Sequence, residues 1–439
     1  MLTYQDYEAA RDKTAFLKGA ITTHRLSGEF QIAATADSYD RKENETIVNY
    51  RKFLYNLQGQ AVPDNWSANF KVVSGFFALF ISQEVQHLLG NGAQFSDAEI
   101  KKRLGKTFDS ALQNLAHYAL VDGVSFGFFN YDHLEVMRLL EFVPFWDERS
   151  GALRAGLRYW RLGSTKPWHC IFYEEDGYTE FIEDDRHELV PVTEKTTYIQ
   201  KVSYTPALGA PEVSNDRNYQ GFPIVPLWGN KKKQSEIIGL QSQIDAYDLI
   251  KSGFANDLDD IQQIYWILKN AGGMNEMDLA AFVERLHIVK AAKLPQNVEV
   301  ESHTNEVPYQ SRKEYLAILK ADLFRDAMAF DPSAVVSVNT ATAIRAAYKN
   351  LDLKCDSFEF CVLDFLDALF GILADEIPGI TEETVTFKRS YLVNETEETN
   401  NVISAYDHQL IPKETAIKHL PFLTDDEIDE LLTAEAPAT

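Results

Sequence analysis

Residues 221–260, with the sequence GFPIVPLWGNKKKQSEIIGLQSQIDAYDLIKSGFANDLDD, decide the fold of this chain. They open with a strand-like run that contains two prolines, which suits the edge of a sheet because proline donates no ladder hydrogen bond. Apolar residues then recur every three or four positions, and this spacing predicts one amphipathic helix of about 45–50 Å. The stripe consists of Ile237, Leu240, Ile244, Tyr247, Phe254, Leu258, Ile261, Tyr265 and Leu268.

A turn and a small mixed segment follow this stripe. Gly272-Gly273 marks the turn, and residues 274–305 contain two strand-like runs, HIVKAA at 287–292 and VEVES at 298–302. A second amphipathic helix is predicted to begin near Pro308. Two long helices therefore flank a compact insertion of about 40 residues.

The next segment, residues 331–339, loses its helical character because it is small, β-branched and polar and begins with Asp-Pro. A third helix is predicted to begin after an N-cap at Asn339 or Thr340 and to remain densely apolar through residues 343–373. A polar segment between two strong helices is typical of a mobile element and not of a core.

The rest of the chain mixes helices and strands. Residues 1–130 show mainly helical spacing, and residues 124–204 contain short aromatic runs separated by turn residues, which predict an antiparallel sheet. The tail, residues 395–439, is helical in pattern and strongly acidic. The sequence therefore predicts an α+β protein, and its length suggests two to four domains.

The composition excludes several classes of protein. The 66 acidic residues exceed the 42 basic ones and give a formal charge of −24, unlike that of a basic nucleic-acid clamp. Three scattered cysteines predict reduced thiols and no disulfide framework. No apolar run is long enough to predict a membrane partner. Phosphate-binding glycine loops, catalytic triads and metal-ligand spacings are also missing from the sequence, so no cofactor, metal or catalytic residue is predicted.

Two charged clusters nevertheless merit consideration. The first cluster is Asp257, Asp259 and Asp260, with Asp245 and Asp248 upstream. Asp245 and Asp248 lie about one helical turn apart, as do Asp257 and Asp260, a spacing at which carboxylates can share a divalent ion on a helix. The competing interpretation is the solvated face of an amphipathic helix. Separately, the lysine run 231–233 is predicted to open the long helix, where cations oppose the helix dipole, so it is either a DNA contact or an unpartnered surface run.

The opening stretch resembles the portal proteins of tailed bacteriophages, in particular those of siphophages that infect Gram-positive hosts. In that family a strand of the type G-[IF]-P-[IV]-[IV] and an Asn-containing turn lead into a helix with the pattern IDAYD…S…AND…D. Weaker resemblances follow in the family's order at residues 69–73, 121–126, 142–144 and 410–425. The residues that match the main pattern are Gly221, Phe222, Pro223, Ile224, Val225, Asn230, Ile244, Asp245, Ala246, Tyr247, Asp248, Ser252, Ala255, Asn256, Asp257 and Asp260.

The resemblance implies a portal fold with a mixed α/β wing, a two-helix stem, a small α/β clip and a helical crown. Its parts would be wing 1–230, stem helix 231–264, clip 265–305, second stem helix 306–330, tunnel loop 331–340, wing 341–394 and crown 395–439. The stem and clip together hold only −3 of the total charge, whereas residues 174–188 hold −7 and the tail holds −9. A nearly neutral passage in an acidic ring suits DNA that slides without binding tightly.

The resemblance also implies a function. Portals are non-enzymatic rings, usually of twelve subunits, at one capsid vertex of the virion, and they assemble in the host bacterial cytoplasm. Double-stranded DNA passes through the ring, without sequence preference, during packaging, retention and ejection. The partners would be the large terminase subunit, a head-tail adaptor, and the major capsid and scaffolding proteins. The alternatives are a metal-dependent nuclease that uses Asp257, Asp259 and Asp260, or another ring-forming head-tail adaptor.

Three groups of site residues follow. The predicted tunnel loop consists of Pro332, Ser333, Ala334, Val335, Val336, Ser337, Val338 and Asn339. The predicted DNA-proximal basic residues are Lys231, Lys232, Lys233, Lys251, Arg312, Lys320 and Arg325. The predicted subunit interface consists of Ile237, Leu240, Ile244, Tyr247, Phe254, Leu258 and Ile261.

Overall fold

A computed structural model provides the coordinates of the chain. It describes residues 2–55, 59–64, 69–204, 211–260, 265–269, 299–303, 309–334, 341–389, 395–418, 420 and 428. The chain divides into two compact units. Unit A comprises Met1–Lys42, Gly75–Gln241 and Phe324–Thr439, and unit B comprises Glu43–Ser74 and Ser242–Leu323.

The helices of the described part are numbered in chain order. They are α1 (Tyr4–Ala9), α2 (Lys13–Arg25), α3 (Gly28–Asp40), α4 (Glu45–Val48), α5 (Phe76–Leu89), α6 (Ala98–Arg103), α7 (Phe108–Asp122), α8 (Gln241–Asp260), α9 (Tyr309–Asp326), α10 (Ala341–Ile372), α11 (Glu395–Asp407) and α12 (Lys413–Lys418). Within the described ranges, no helix is both long enough and apolar enough to cross a bilayer.

The strands are numbered in the same way. They are β1 (Leu2–Thr3), β2 (Phe53–Tyr55), β3 (Ala61–Pro63), β4 (Ala93–Phe95), β5 (Val124–Asn130), β6 (His133–Arg138), β7 (Phe142–Trp146), β8 (Leu153–Trp160), β9 (His169–Glu174), β10 (Gly177–Glu183), β11 (Leu189–Pro191), β12 (Ile199–Tyr204), β13 (Pro211–Arg217), β14 (Ile224–Trp228), β15 (Tyr265–Lys269), β16 (Glu299–His303) and β17 (Val385–Phe387). Mixed helix and strand content confirms the α+β class.

Unit A is built on a six-stranded sheet in the order β1-β7-β8-β9-β10-β11. Its strands pair antiparallel, except that β1 runs parallel to β7. The buried core of this sheet includes Val143, Phe145 and Phe172 and is covered by Leu17 of α2. Residues 124–204 therefore form the antiparallel region that their alternating pattern predicts.

A second sheet in unit A has the order β14-β5-β6 and contains Pro226 of the opening stretch, while Pro223 directly precedes β14. In this sheet β14 pairs with β5 alone, so Pro226 lies on an edge strand, as its missing N–H predicts. Gly127 of β5 leaves the space where a side chain would collide with Phe365 of α10 and lie against Leu115 of α7. Both helices therefore pack closely on this sheet.

The long helix of the opening stretch differs from the prediction at both ends. It begins at Gln241 and not at residue 231 or 237, because Gly239 has a φ of +93° that a helix does not allow. At the other end, Tyr265 and Leu268 belong to strand β15, which pairs antiparallel with β16. The aromatic and β-branched run YWIL favours a strand when a second strand pairs with it. The apolar spacing therefore predicted helix wrongly at residues 237–240 and 265–268.

The other helix predictions agree with the described residues. The second amphipathic helix is α9, and the third is α10, which begins at Ala341, although its predicted N-cap lies outside the described residues. The run VEVES corresponds to β16, whereas HIVKAA at 287–292 lies outside the described residues. The tail is helical at α11 and α12, as its pattern predicts.

Candidate functional site

Three polar side chains on α8 hold the segment 69–74 of unit B, which we call the strap. The side chains are buried and lie four residues apart, so they share one face of the helix. Each side chain accepts one hydrogen bond from a backbone N–H of the strap. The donors are every second residue of the strap, which runs antiparallel to the helix. The bonds run from Ser74 N to Asp248 Oδ1 (3.0 Å), from Val72 N to Ser252 Oγ (2.9 Å) and from Phe70 N to Asn256 Oδ1 (2.6 Å).

The two upstream aspartates of the carboxylate cluster also bind protein groups. Asp248 accepts a second hydrogen bond from the side-chain amide of Asn44, and its burial raises the pKa of its carboxyl group above the ordinary value. Asp245 accepts a hydrogen bond of 2.9 Å from the hydroxyl of Thr46. These contacts hold the segment at the start of α4 against α8, so both carboxylates stabilise the packing within unit B.

The downstream carboxylates lie near the end of α8. Asp257 forms an ion pair with Arg312 of α9. The side chains of Asp259 and Asp260 lie outside the described residues. Among the residues that are described, no three His, Cys, Asp or Glu side chains come together as a metal-binding group.

The lysine run 231–233 does not open a helix. It lies in the turn before α8, and Lys233 has a φ of +55°. The ammonium group of Lys233 lies 4.5 Å from the ring centre of Trp228, and that of Lys231 lies 5.6 Å from the ring centre of Phe360. The prediction that these lysines oppose a helix dipole is therefore wrong, because they do not lie at a helix end. Two of them are held in the turn by cation–π contacts.

The other predicted basic residues have local neighbours in the part of the chain that is described. Lys251 lies over the ring of Tyr247 at 5.7 Å, and Lys320 is half-buried on α9. Arg325 contacts its neighbour Asp326 at 3.4 Å. With the Asp257–Arg312 pair, two of these four basic residues therefore have a carboxylate beside them.

The predicted interface stripe is divided between buried and accessible positions. Ile237, Leu240 and Ile244 are at most 6% exposed within a single chain, so they have almost no surface for a neighbouring subunit. Their burial corrects their assignment to that interface, because apolar spacing does not distinguish an internal core from a subunit contact. Tyr247 and Phe254 are half-buried. The side chain of Leu258 and the whole of Ile261 lie outside the described residues.

Other apolar side chains on the same two helices are exposed and escaped the sequence prediction. They are Leu249 of α8 and Tyr309, Tyr315 and Ile318 of α9, each at least 44% exposed. Tyr315 and Ile318 lie three residues apart on one helix face. For Leu249 a signal was available, because it lies off the apolar stripe of α8.

The predicted tunnel loop is described only at its start. Pro332–Ala334 form a 3-10 turn, and Pro332 and Ser333 are exposed. The backbone N–H and hydroxyl of Ser333 both donate to Asp331 Oδ1, at 2.9 and 2.6 Å. The remaining predicted loop residues, Val335, Val336, Ser337, Val338 and Asn339, lie outside the described residues.

A buried charge cluster in unit A also escaped the sequence prediction. Lys354 of α10 contacts Glu84 of α5 at 2.8 Å and Glu236 at 3.1 Å. Burial raises the pKa of the Glu84 carboxyl group to about 7, while the nearby ammonium of Lys354 works in the opposite direction. The three residues come from distant parts of the chain, so no local spacing predicts their association.

The family described as "Phage portal protein, SPP1 Gp6-like" matches residues 37–438. The portal protein of Bacillus phage SPP1 is 24% identical over 422 residues, which cover 90% of this chain and 81% of that protein. The portal protein of Clostridium phage phiCD119 is 29% identical over 232 residues, which cover 51% of this chain and 50% of that protein.

Proposed function

The chain belongs to the SPP1 Gp6-like family of phage portal proteins, and from this membership we propose that its subunits form a ring-shaped DNA channel at one capsid vertex. The observation that carries the proposal is the helix pair α8 and α9 in unit B. Phe254 and Tyr309 have ring centres 5.7 Å apart, and Asp257 pairs with Arg312. The chain between these helices includes the paired strands β15 and β16. Two contacting helices with a strand pair between them suit a stem and a clip.

On this proposal the clip, tunnel loop and crown keep the boundaries that the sequence suggested, and the two stem helices become shorter. The stem helices are α8 and α9, the clip is 265–305 and the tunnel loop is 331–340. The wing comprises the remaining residues up to 394, and the crown begins at 395. The lysine turn 231–233 belongs to the wing, since its contacts are with Trp228 and Phe360 of unit A.

The charge distribution along α8 and α9 supports a passage in which DNA slides. Each unpaired cation that meets a phosphate adds to a salt-dependent affinity and therefore to resistance against movement. Arg312 and Arg325 have carboxylate neighbours, and Lys251 lies against an aromatic ring. We therefore propose that the channel wall presents weak net charge, and that the energy for DNA movement comes from a separate terminase.

The subunit contact is proposed for the exposed apolar positions and not for the buried part of the stripe. Leu249, Tyr315 and Ile318 are each 44–56% exposed on α8 and α9. Burying such side chains against a neighbour contributes about 25 cal/mol for each Å² of apolar surface removed from water. A ring of identical subunits repeats this contact around the channel.

The remaining roles follow from the portal function. The ring would dock the large terminase subunit during packaging and the head-tail adaptor afterwards, and it would contact the major capsid and scaffolding proteins. It would be a virion component, assembled in the host cytoplasm before the head is filled. No described contact of Asp257 favours the alternative nuclease, because its carboxylate is already paired with Arg312.

A deletion of Ser333–Val338 tests the channel proposal. We expect rings of normal yield and diameter by negative-stain microscopy, because the deletion leaves α8 and α9 intact. Packaging of DNA into proheads that contain the variant ring should stop or stall. A matched control replaces residues 335–338 with glycine and serine and keeps the loop length, which separates loop length from side-chain chemistry. Normal packaging by the deletion variant would overturn the tunnel-loop assignment, and a protein that never forms rings would overturn the portal proposal itself.

A further inference from the structure

The chain reverses direction between α9 and the proposed tunnel loop. After α9 ends at Asp326, Met328 adopts a left-handed φ of +54° and the N–H of Ala329 donates to the carbonyl of Phe324 at 2.9 Å. This pattern is a Schellman-type helix end, although its left-handed position is usually a glycine. Phe330 follows, is only 5% exposed, and is the last residue before the loop.

Gln83 of α5 grips the backbone of Phe330 with both ends of its amide. Its Nε2 donates to the carbonyl oxygen of Phe330 at 2.9 Å, and its Oε1 accepts from the N–H of Phe330 at 3.2 Å. A side-chain amide that makes both bonds reproduces the exchange of hydrogen bonds between paired strand residues. The backbone of Phe330 is therefore fixed although it belongs to neither a helix nor a sheet.

The side chain of Phe330 is held from a second direction. Its ring stacks on Tyr348 of α10 with ring centres 4.1 Å apart and planes 7° apart. Tyr348 in turn stacks on His87 of α5 at 5.3 Å, and His87 Nε2 lies 2.8 Å from Asp352 Oδ1. Gln83 and His87 are four residues apart on α5, as are Tyr348 and Asp352 on α10, so each helix presents its pair on one face.

We propose that Gln83, Tyr348 and His87 form a clamp that makes Phe330 the stationary end of the loop 331–340. A force applied beyond Asp331 then reaches Phe330 first and passes through the clamp to α5 and α10. Gln83 is a positioning residue, because it acts on the loop only through Phe330. The role of the clamp in DNA passage rests on the proposed portal function, but the fixed position of Phe330 does not.

Amide hydrogen exchange of assembled rings tests the clamp directly. In Gln83→Ala the N–H of Phe330 loses its acceptor, so exchange in a peptide spanning residues 328–334 should become about fivefold faster or more. Gln83→Glu keeps an acceptor for this N–H but loses the donor to the Phe330 carbonyl, so its acceleration should be smaller than that of Gln83→Ala. Gln86→Ala is the matched control, because Gln86 is exposed on the same helix. Unchanged exchange in Gln83→Ala, or equal acceleration in Gln86→Ala, would overturn the clamp.

Packaging separates positioning from a general loss of stability. Gln83→Ala rings of normal yield and thermal stability should package DNA more slowly and pause more often, with only partial recovery in Gln83→Glu, which keeps one of the two hydrogen bonds. Normal packaging by Gln83→Ala would overturn the positioning role. If Gln83→Ala fails to fold, Tyr348→Leu weakens the ring stack instead and should accelerate exchange in the same peptide. Normal packaging after the loop deletion, with accelerated exchange in Gln83→Ala, would overturn the tunnel-loop function while leaving the clamp in place.

Discussion

The hydrogen bonds between α8 and the strap make a prediction that depends on register. Four helical residues advance about 6.0 Å, and two residues of extended chain advance about 6.6 Å, so each helix position faces its own strap residue. Replacing one helix side chain should therefore free one strap N–H and leave its neighbours bound. Ser252→Ala removes the acceptor of the Val72 N–H. The side chain loses only its hydroxyl group, so the packing around it changes little.

The magnitude follows from leaving a backbone donor without a partner. Such a loss costs about 1–3 kcal/mol, which corresponds to an increase of about 5- to 150-fold in the local opening equilibrium. Amide hydrogen exchange over residues 69–75, read by fragmentation of the peptide, should show the increase at Val72. In Asn256→Ala the faster exchange should appear at Phe70 instead, and in Asp248→Ala it should appear at Ser74.

Ser242→Ala is the control, since Ser242 is exposed on the same helix and leaves the ladder untouched. Exchange over the strap should then equal that of the wild type. The register argument would be refuted if all three ladder substitutions accelerated exchange uniformly over 69–74, because that result would mean general loosening. It would also be refuted if Ser252→Ala left Val72 protected.

Two further predictions concern unit A. A Cβ atom on Gly156 would lie 1.9 Å from the ring of Phe142, so Gly156→Ala should destabilise unit A by about 1–3 kcal/mol in urea unfolding, whereas Gly163→Ala should have little effect. Burial raises the pKa of Glu84 from 4.5 to about 7, so its contribution to stability is greatest below about pH 4.5 and is lost as the pH rises to about 7. Glu84→Gln should lack this loss, and parallel stability curves for variant and wild type between pH 4.5 and 8 would contradict the assignment.

Local periodicity predicted the elements that carry their own signal. The edge strand with Pro226, the antiparallel region 124–204 and the helices α9 and α10 all follow from spacing that neighbouring residues supply. The limits of α8 did not follow, because Gly239 and the strand pairing of Tyr265 override an apolar repeat that continues through both. The spacing of apolar residues indicates which side chains are shielded from water, but it does not indicate where the backbone turns.

The candidate site was predictable only in part, for a different reason. The pattern IDAYD…S…AND identified α8 as a special helix, but three of its polar residues bind a strap more than 170 residues earlier in the chain. The clamp on Phe330 and the Glu84–Lys354 cluster likewise join distant segments. Interactions of this kind arise from tertiary packing, which a pattern read along the chain does not contain.

During synthesis of the chain, the strap emerges from the ribosome long before the helix that binds it. Val72 leaves the ribosome 180 residues before Ser252, its hydrogen-bond acceptor. At about 5–20 residues per second, the strap waits about 9–36 s on the nascent chain before its helix emerges. Unit B therefore closes late during translation, after most of the unit A sheets can form, and subunits able to meet their neighbours are released only after that delay.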